Sequence, residues 1–213
     1  YRYSDLPYYI LKSILENHYD QPLDALVQQH FYKSIGANFS TFKPLEKFNK
    51  NQLVPTEKDD YFRYGTVQGY AHDMGAAMQG GVGGHAGLFS NANDVAKLMQ
   101  MFLQEGVYGG KQYFSSNTFE VFNTCHYCDQ ENRRGIGFDK PQLEDEGPTC
   151  GCLSATSFGH SGFTGAYAWA DPEEEIVYVF LANRTYPDSD SNRLLKENIR
   201  TEIQRLIYES IIE

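Results

Sequence analysis

The run Gly80-Gly81-Val82-Gly83-Gly84-His85-Ala86-Gly87-Leu88-Phe89 restricts the fold more than any other stretch of this chain. Glycine loses more backbone freedom on ordering than any other residue and weakens a helix interior, so this stretch predicts a tightly packed turn or wall. Before it, Leu6, Ile10, Ile14 and Leu15 place an apolar stripe at helical spacing, ending near Asn17. Pro22 opens a second helix carrying Leu23, Leu26, Val27 and Phe31, and Gly36 stops it. Residues 37–70 hold no sustained period and read as an irregular, aromatic-rich excursion. After the glycines, Ser90 or Asn91 caps a helix whose stripe is Val95, Leu98, Met99 and Phe102, with Gly106 ending it.

The last third changes period. Ser157-Phe158-Gly159-His160, Ala166-Tyr167-Ala168-Trp169-Ala170 and Ile176-Val177-Tyr178-Val179-Phe180-Leu181 are strand-like, and Asp171-Pro172-Glu173-Glu174-Glu175 makes a hairpin turn between the second and third. Residues 190–212 close with a helix whose stripe is Leu195, Ile199, Ile203, Leu206 and Ile207, opposite a charged face. Helices first, then antiparallel strands and a covering helix, give an α+β fold.

Composition excludes several functions. With 18 Lys+Arg against 28 Asp+Glu the formal charge is −10, which argues against nucleic-acid or anionic-membrane partners. The strongest apolar run, 176–182, is strand-sized and far short of the ~20 residues of a membrane span. Sixteen tyrosines and 14 phenylalanines are too many for a disordered chain. The opening Tyr1-Arg2-Tyr3-Ser4-Asp5-Leu6-Pro7 carries no targeting segment and reads as a helix start, with Ser4 or Asp5 as cap and Pro7 in the first turn. A chain that starts on a cap reads as one cut from a longer protein.

Two short motifs carry chemistry when taken together: Tyr3-Ser4-Asp5 at a helix start, and His160-Ser161-Gly162 at the start of the strand hairpin. Alone, Tyr3 is also a packed aromatic, and His160 and His85 also read as satisfied core histidines. In this order, with Gly80 to Ser90 between them, they make a specific pattern. The chain resembles the serine β-lactamase and penicillin-binding-protein superfamily, most closely its class C β-lactamase-like esterase branch. The resemblance rests on Tyr3-Ser4-Asp5 (like the Tyr-x-Asn element), His72-Asp73 followed by Gly81 to Ser90, and His160-Ser161-Gly162 (like the Lys-Thr-Gly element). Trp169-Ala170-Asp171-Pro172 and Leu181-Ala182-Asn183-Arg184 extend it.

That resemblance implies a partial β-lactamase/transpeptidase-like fold. Residues 1–213 would be the C-terminal part of a single domain, with 1–125 mainly helical and loop, and 126–213 antiparallel strands plus the final helix. It also implies a serine hydrolase acting on a small-molecule or peptide substrate, without cofactor or metal, at the periplasm or cell surface. Tyr3 is the implied general base or proton shuttle. Asp5 stands where an asparagine is usual and, when ionised, only accepts hydrogen bonds. His160 replaces a lysine, which weakens any clamp on a substrate carboxylate and favours ester or peptide substrates over β-lactams. Ser161 donates to substrate, Gly162 admits its backbone, and the Phe163 N–H supplies half an oxyanion hole.

The family's nucleophile element is Ser-x-x-Lys, and Ser40-Thr41-Phe42-Lys43 matches it formally. The chemistry needs both residues on one helical turn, whereas Pro44 pushes Lys43 out of the helical region and Thr41-Phe42 favour extended structure. The nucleophile is therefore expected upstream of Tyr1, leaving this piece inactive alone. A different class is a non-catalytic wall- or partner-binding module of degenerate penicillin-recognition fold, such as a tail behind a glycoside hydrolase family 3 domain. In the whole fold an earlier strand would cover Ile176–Leu181, so that strand is expected here as an open edge able to self-associate. Cys125-x-x-Cys128 and Cys150-x-Cys152 suit a small zinc-stabilised domain, disulfides or free thiols. His72-Asp73 resembles a metal-binding pair, but no further carboxylate follows at helical spacing, so no metal is assigned there.

Overall fold

The computed structural model describes residues 2–142, 147–190 and 192–211. The chain forms two compact units, residues 1–94 with 183–191 and residues 95–182 with 192–213.

In the first unit, α1 (Leu6–Tyr19) and α2 (Leu23–Val27) follow the predicted stripes, and the chain continues through one π-helical turn, Gln28–Tyr32. Leu26, Tyr32, Ile35 and Ala37 are buried behind them. The α1 stripe is not: Leu6, Ile10 and Ile14 stay more than half exposed. The excursion at 37–70 holds a hairpin that the sequence pattern hides. Its strands β1 (Pro55–Asp59) and β2 (Gly65–Gln68) pair antiparallel. Pro-Thr-Glu-Lys-Asp has neither alternation nor β-propensity; the turn holds it instead. Burial works against the charge of Asp59, but its carboxylate accepts the backbone N–H groups of Phe62, Tyr61 and Arg63 at 2.9–3.0 Å, and these hold it below the ordinary carboxylate range. The short helix α3 (Met74–Met78) begins at Asp73, whose side chain accepts the Ala76 N–H at 2.7 Å.

Helix α4 (Ala92–Leu103) starts where expected, with Asn91 Oδ1 accepting the Asp94 N–H at 2.8 Å. It carries the chain into the second unit. There the short ribbon β3 (Val107–Tyr108) and β4 (Lys111–Gln112) leads to α5 (Ser116–Asn123), a helix the stripe analysis passes over, capped by Ser115 on the Thr118 N–H. The three predicted strands appear within a residue as β5 (Phe158–Ser161), β6 (Tyr167–Asp171) and β7 (Ile176–Phe180), an antiparallel sheet of order β5-β6-β7. The final helix is broken into α6 (Arg193–Lys196) and α7 (Ile199–Glu209) by Asn198, whose φ of 51° is left-handed.

Strand alternation assigns the two faces of this sheet. Phe158, Ala168, Ala170 and Val177 pack with Met99 and Phe102 of α4, Phe119 of α5, and Phe138. Tyr167, Trp169 and Tyr178 pack on the opposite side with Ile207 of α7. Polar bonds fix α7 there: Tyr167 donates to Oε1 of the buried Gln204 at 2.9 Å, and Tyr208 donates to Asp171 at 2.7 Å. Burial disfavours the Asp171 charge, yet donation from Ser154, Tyr208 and the Glu173 N–H outweighs it and lowers the carboxyl.

The cysteines pair within each motif, Cys125 with Cys128 and Cys150 with Cys152, leaving no thiol among the described residues. Of the alternatives open at the sequence level, the structure takes the disulfides. No described helix is long and apolar enough to cross a membrane.

Candidate active site

The predicted site residues fall in both units. Tyr3 and Asp5 lie in the first, His160 to Phe163 in the second, and each set is described by itself.

Tyr3 precedes α1 with its side chain 61% exposed, so it is not a packed core aromatic. Ser4 Oγ accepts the Leu6 N–H at 3.3 Å, while Asp5 occupies the N-cap position without using its side chain as a cap. The Asp5 carboxylate instead gathers with Asp73 and His85, the ligand-type atoms of all three lying within 4.8 Å of one another. His85 comes from the glycine run; its side chain is buried, and its Nε2 sits 2.7 Å from Asp73 Oδ1. Burial opposes the Asp73 charge, but the Ala76 N–H and His85 overcome it and hold the carboxyl low. Tyr9 lies tilted against the histidine, ring centroids 4.8 Å apart; its hydroxyl is pushed up by burial first, then by Asp73 and Asp5. His72 does not join this group, and burial lowers its pKa.

Ser40-Thr41-Phe42-Lys43 is not a helical turn. Thr41 bridges Phe89 in extended pairing, and Lys43 has a left-handed φ of 45°. Ser40 Oγ is spent on Ser90 Oγ at 2.8 Å and Lys43 Nζ on Asp24 at 2.8 Å. An amine held by a carboxylate elsewhere cannot take the serine proton.

In the second unit His160 and Ser161 end β5, and Gly162 starts the turn into β6, its N–H bonded to Ala166 O at 2.8 Å. A Cβ on Gly162 would press to 3.3 Å from the Ala166 side chain, so glycine fits the tight turn. Phe163 follows with its ring 63% exposed. One residue absent from the sequence reading defines this end. Arg134 Nη1 lies 3.0 Å from His160 Nε2. Because guanidinium can only donate, Nε2 must accept; Nδ1 then carries the ring proton and donates to Ser161 O at 2.8 Å. His160 is thus held neutral, in one tautomer, beside a permanent cation. Asp139 accepts from Arg133 at 3.1 Å and meets Arg134 at 3.5 Å, and its backbone bridges Gly159, which registers the arginines against β5. Burial beside them pushes Lys140 down to about 8. The available sequence signal was Arg133-Arg134, a doubled arginine in an acidic chain.

The family model described as Beta-lactamase matches residues 1–200. A protein of Escherichia coli O157:H7 named "Putative D-alanyl-D-alanine carboxypeptidase" is 36% identical over 197 residues, 86% of this chain and 45% of that protein. The chain therefore spans about half the length of the curated relatives it matches. A β-lactamase from Mycobacterium bovis superposes with a TM-score of 0.59 at 15% identity, covering 92% of this chain and 63% of that one. A penicillin-binding-protein homologue from Caulobacter crescentus gives 0.54 at 17% identity, covering 81% and 49%. Partial helical region, three-stranded antiparallel sheet and closing helix agree with those folds, and the chain belongs to the β-lactamase family, within the serine β-lactamase and penicillin-binding-protein superfamily.

Proposed function

We propose that this chain supplies the C-terminal part of the acyl-transfer site of a serine hydrolase that cleaves acyl-D-amino-acid peptides or related esters bearing a free carboxylate. The observation that carries the reading is Arg134 at 3.0 Å from His160. His160 alone is a poor substitute for a lysine clamp; Arg134 behind it, shared with Asp139 at 3.5 Å, returns a cationic group to the β5 end. The name of the E. coli relative points to the same substrate class.

Tyr3 acts in this reading as the base that takes the proton of the attacking serine and returns it to the leaving amine. Ser161 donates to the substrate, Gly162 lets its backbone approach, and the Phe163 N–H stabilises the tetrahedral oxyanion with a second donor from the nucleophile's own segment. That nucleophile, in a Ser-x-x-Lys turn, is assigned to a segment outside these 213 residues, which makes the chain inactive alone. Intrachain disulfides at both cysteine pairs agree with a periplasmic or surface location.

Intact mass after exposure to a fluorophosphonate tests this. No adduct is expected on the 213 residues alone, and one adduct on a chain that also carries a Ser-x-x-Lys segment. An adduct on Ser40 would overturn the assignment of the nucleophile, and no adduct on either chain would overturn the hydrolase reading in favour of a binding module.

A further inference from the structure

Three elements of the first unit converge on one small polar cluster, and glycine contacts lock them together. Gly84 packs so closely on α1 that a Cβ would come within 2.6 Å of the Tyr8 carbonyl, and this carries His85 to the first turn of the helix. Gly75, in α3, leaves room only for the Tyr9 hydroxyl, which would lie 1.9 Å from a Cβ there. The result brings Asp5, Asp73 and His85 within 4.8 Å of one another.

We propose that Asp5, Asp73 and His85 form a binding site for a divalent transition-metal ion of the zinc type. Two carboxylates share this site with a single imidazole, and the ion pair of Asp73 is with His85 alone among the described residues. Two carboxylates and an imidazole suit a dication, since one nitrogen with two carboxylate oxygens is a donor set that zinc takes. The side chain of His85 is only 5% exposed, and its Nδ1 has no hydrogen-bond partner. Nε2, which faces Asp73 Oδ1 at 2.7 Å, is the ring atom placed to meet the ion. Asp5 contributes a carboxylate that the helix does not use as a cap. Three protein ligands leave at least one coordination position open to water or an incoming anion, the pattern of a reactive rather than a purely structural zinc site. Both cysteine pairs are disulfides and offer no thiolate. This inference shares Asp5 with the Tyr3-Ser4-Asp5 element but uses neither Tyr3 nor the β5 end, and its readout is metal binding, not acyl transfer.

The test is calorimetric titration of the metal-free chain, disulfides intact, with Zn²⁺, alongside Asp5→Asn and His85→Gln. One ion per chain is expected, with affinity falling at least about 10-fold in each variant. Asp5→Asn keeps the size of the side chain and should melt like the parent without metal, so its loss of affinity reports a ligand and not a folding defect. X-ray absorption should show nitrogen and oxygen around the zinc. Absent binding, an affinity unchanged in Asp5→Asn, or sulfur in the coordination sphere would each overturn the proposal.

Discussion

Arg134 donates to Nε2 of His160 across 3.0 Å, and that bond settles the state of the histidine: neutral, its proton on Nδ1 and aimed at Ser161 O. The positive charge expected of a Lys-Thr-Gly-type strand comes here from a different part of the chain.

Replacing Arg134 by Met in a chain that bears the nucleophile should raise KM for an acyl-D-alanyl-D-alanine peptide about 10- to 100-fold, since a hydrogen bond to a charged group contributes about 1.5–3 kcal/mol. An ester without a carboxylate should change less than about threefold. Equal losses on both substrates would show that Arg134 only positions His160.

Gln204 anchors α7 through a buried carbonyl that accepts from Tyr167 OH at 2.9 Å and the Cys150 N–H at 3.2 Å. Gln204→Leu strands the Cys150 N–H and leaves Tyr167 OH only the Pro148 carbonyl at 3.0 Å, and should cost about 1–3 kcal/mol in urea unfolding. Tyr167→Phe, which removes one donor and leaves the backbone bond, should cost less.

Lys140 is buried, donating to Asn123 Oδ1 at 2.7 Å and Thr156 O at 3.0 Å, and burial lowers its pKa to about 8. In the unfolded chain the amine keeps its ordinary value near 10.5, so between these values the unfolded state binds more protons and stability from this residue rises with pH. Below about pH 8 both states are protonated and the charging penalty is constant. Stability of the parent relative to Lys140→Met should therefore climb between pH 8 and pH 10.5; a flat difference would place the amine in a wetter site.

Much of this architecture was legible because period and punctuation agree. Asn91 and Gly106 bracket α4, and the alternation of Tyr167, Ala168, Trp169 and Ala170 fixes which face of the sheet each meets. The β1–β2 hairpin was not legible, because Asp59 and its three backbone donors hold a polar segment that no side-chain pattern marks. Arg134 was hidden for another reason: it lies 26 positions from His160 and meets it only through the Asp139–Gly159 bridge. Asp73 and His85 are separated by 12 positions, so a search at helical spacing misses the pair.

Among the described residues β7 pairs with β6 alone, and its other edge carries the unpaired backbone groups that the sequence anticipates at Ile176–Leu181. Ile176, Val177, Val179 and Phe180 are all half-buried, and neither proline nor charge guards the strand itself. Such an edge is a template for a second strand. Sedimentation velocity over a hundredfold range of concentration should show dimers or larger species accumulating. Val179→Lys sets a charge beside the open edge and should weaken that association at least about 10-fold while the monomer keeps its melting temperature. A chain that sediments as monomer throughout the range would mean that the edge is guarded by its surroundings, and the self-association expected of it would be withdrawn.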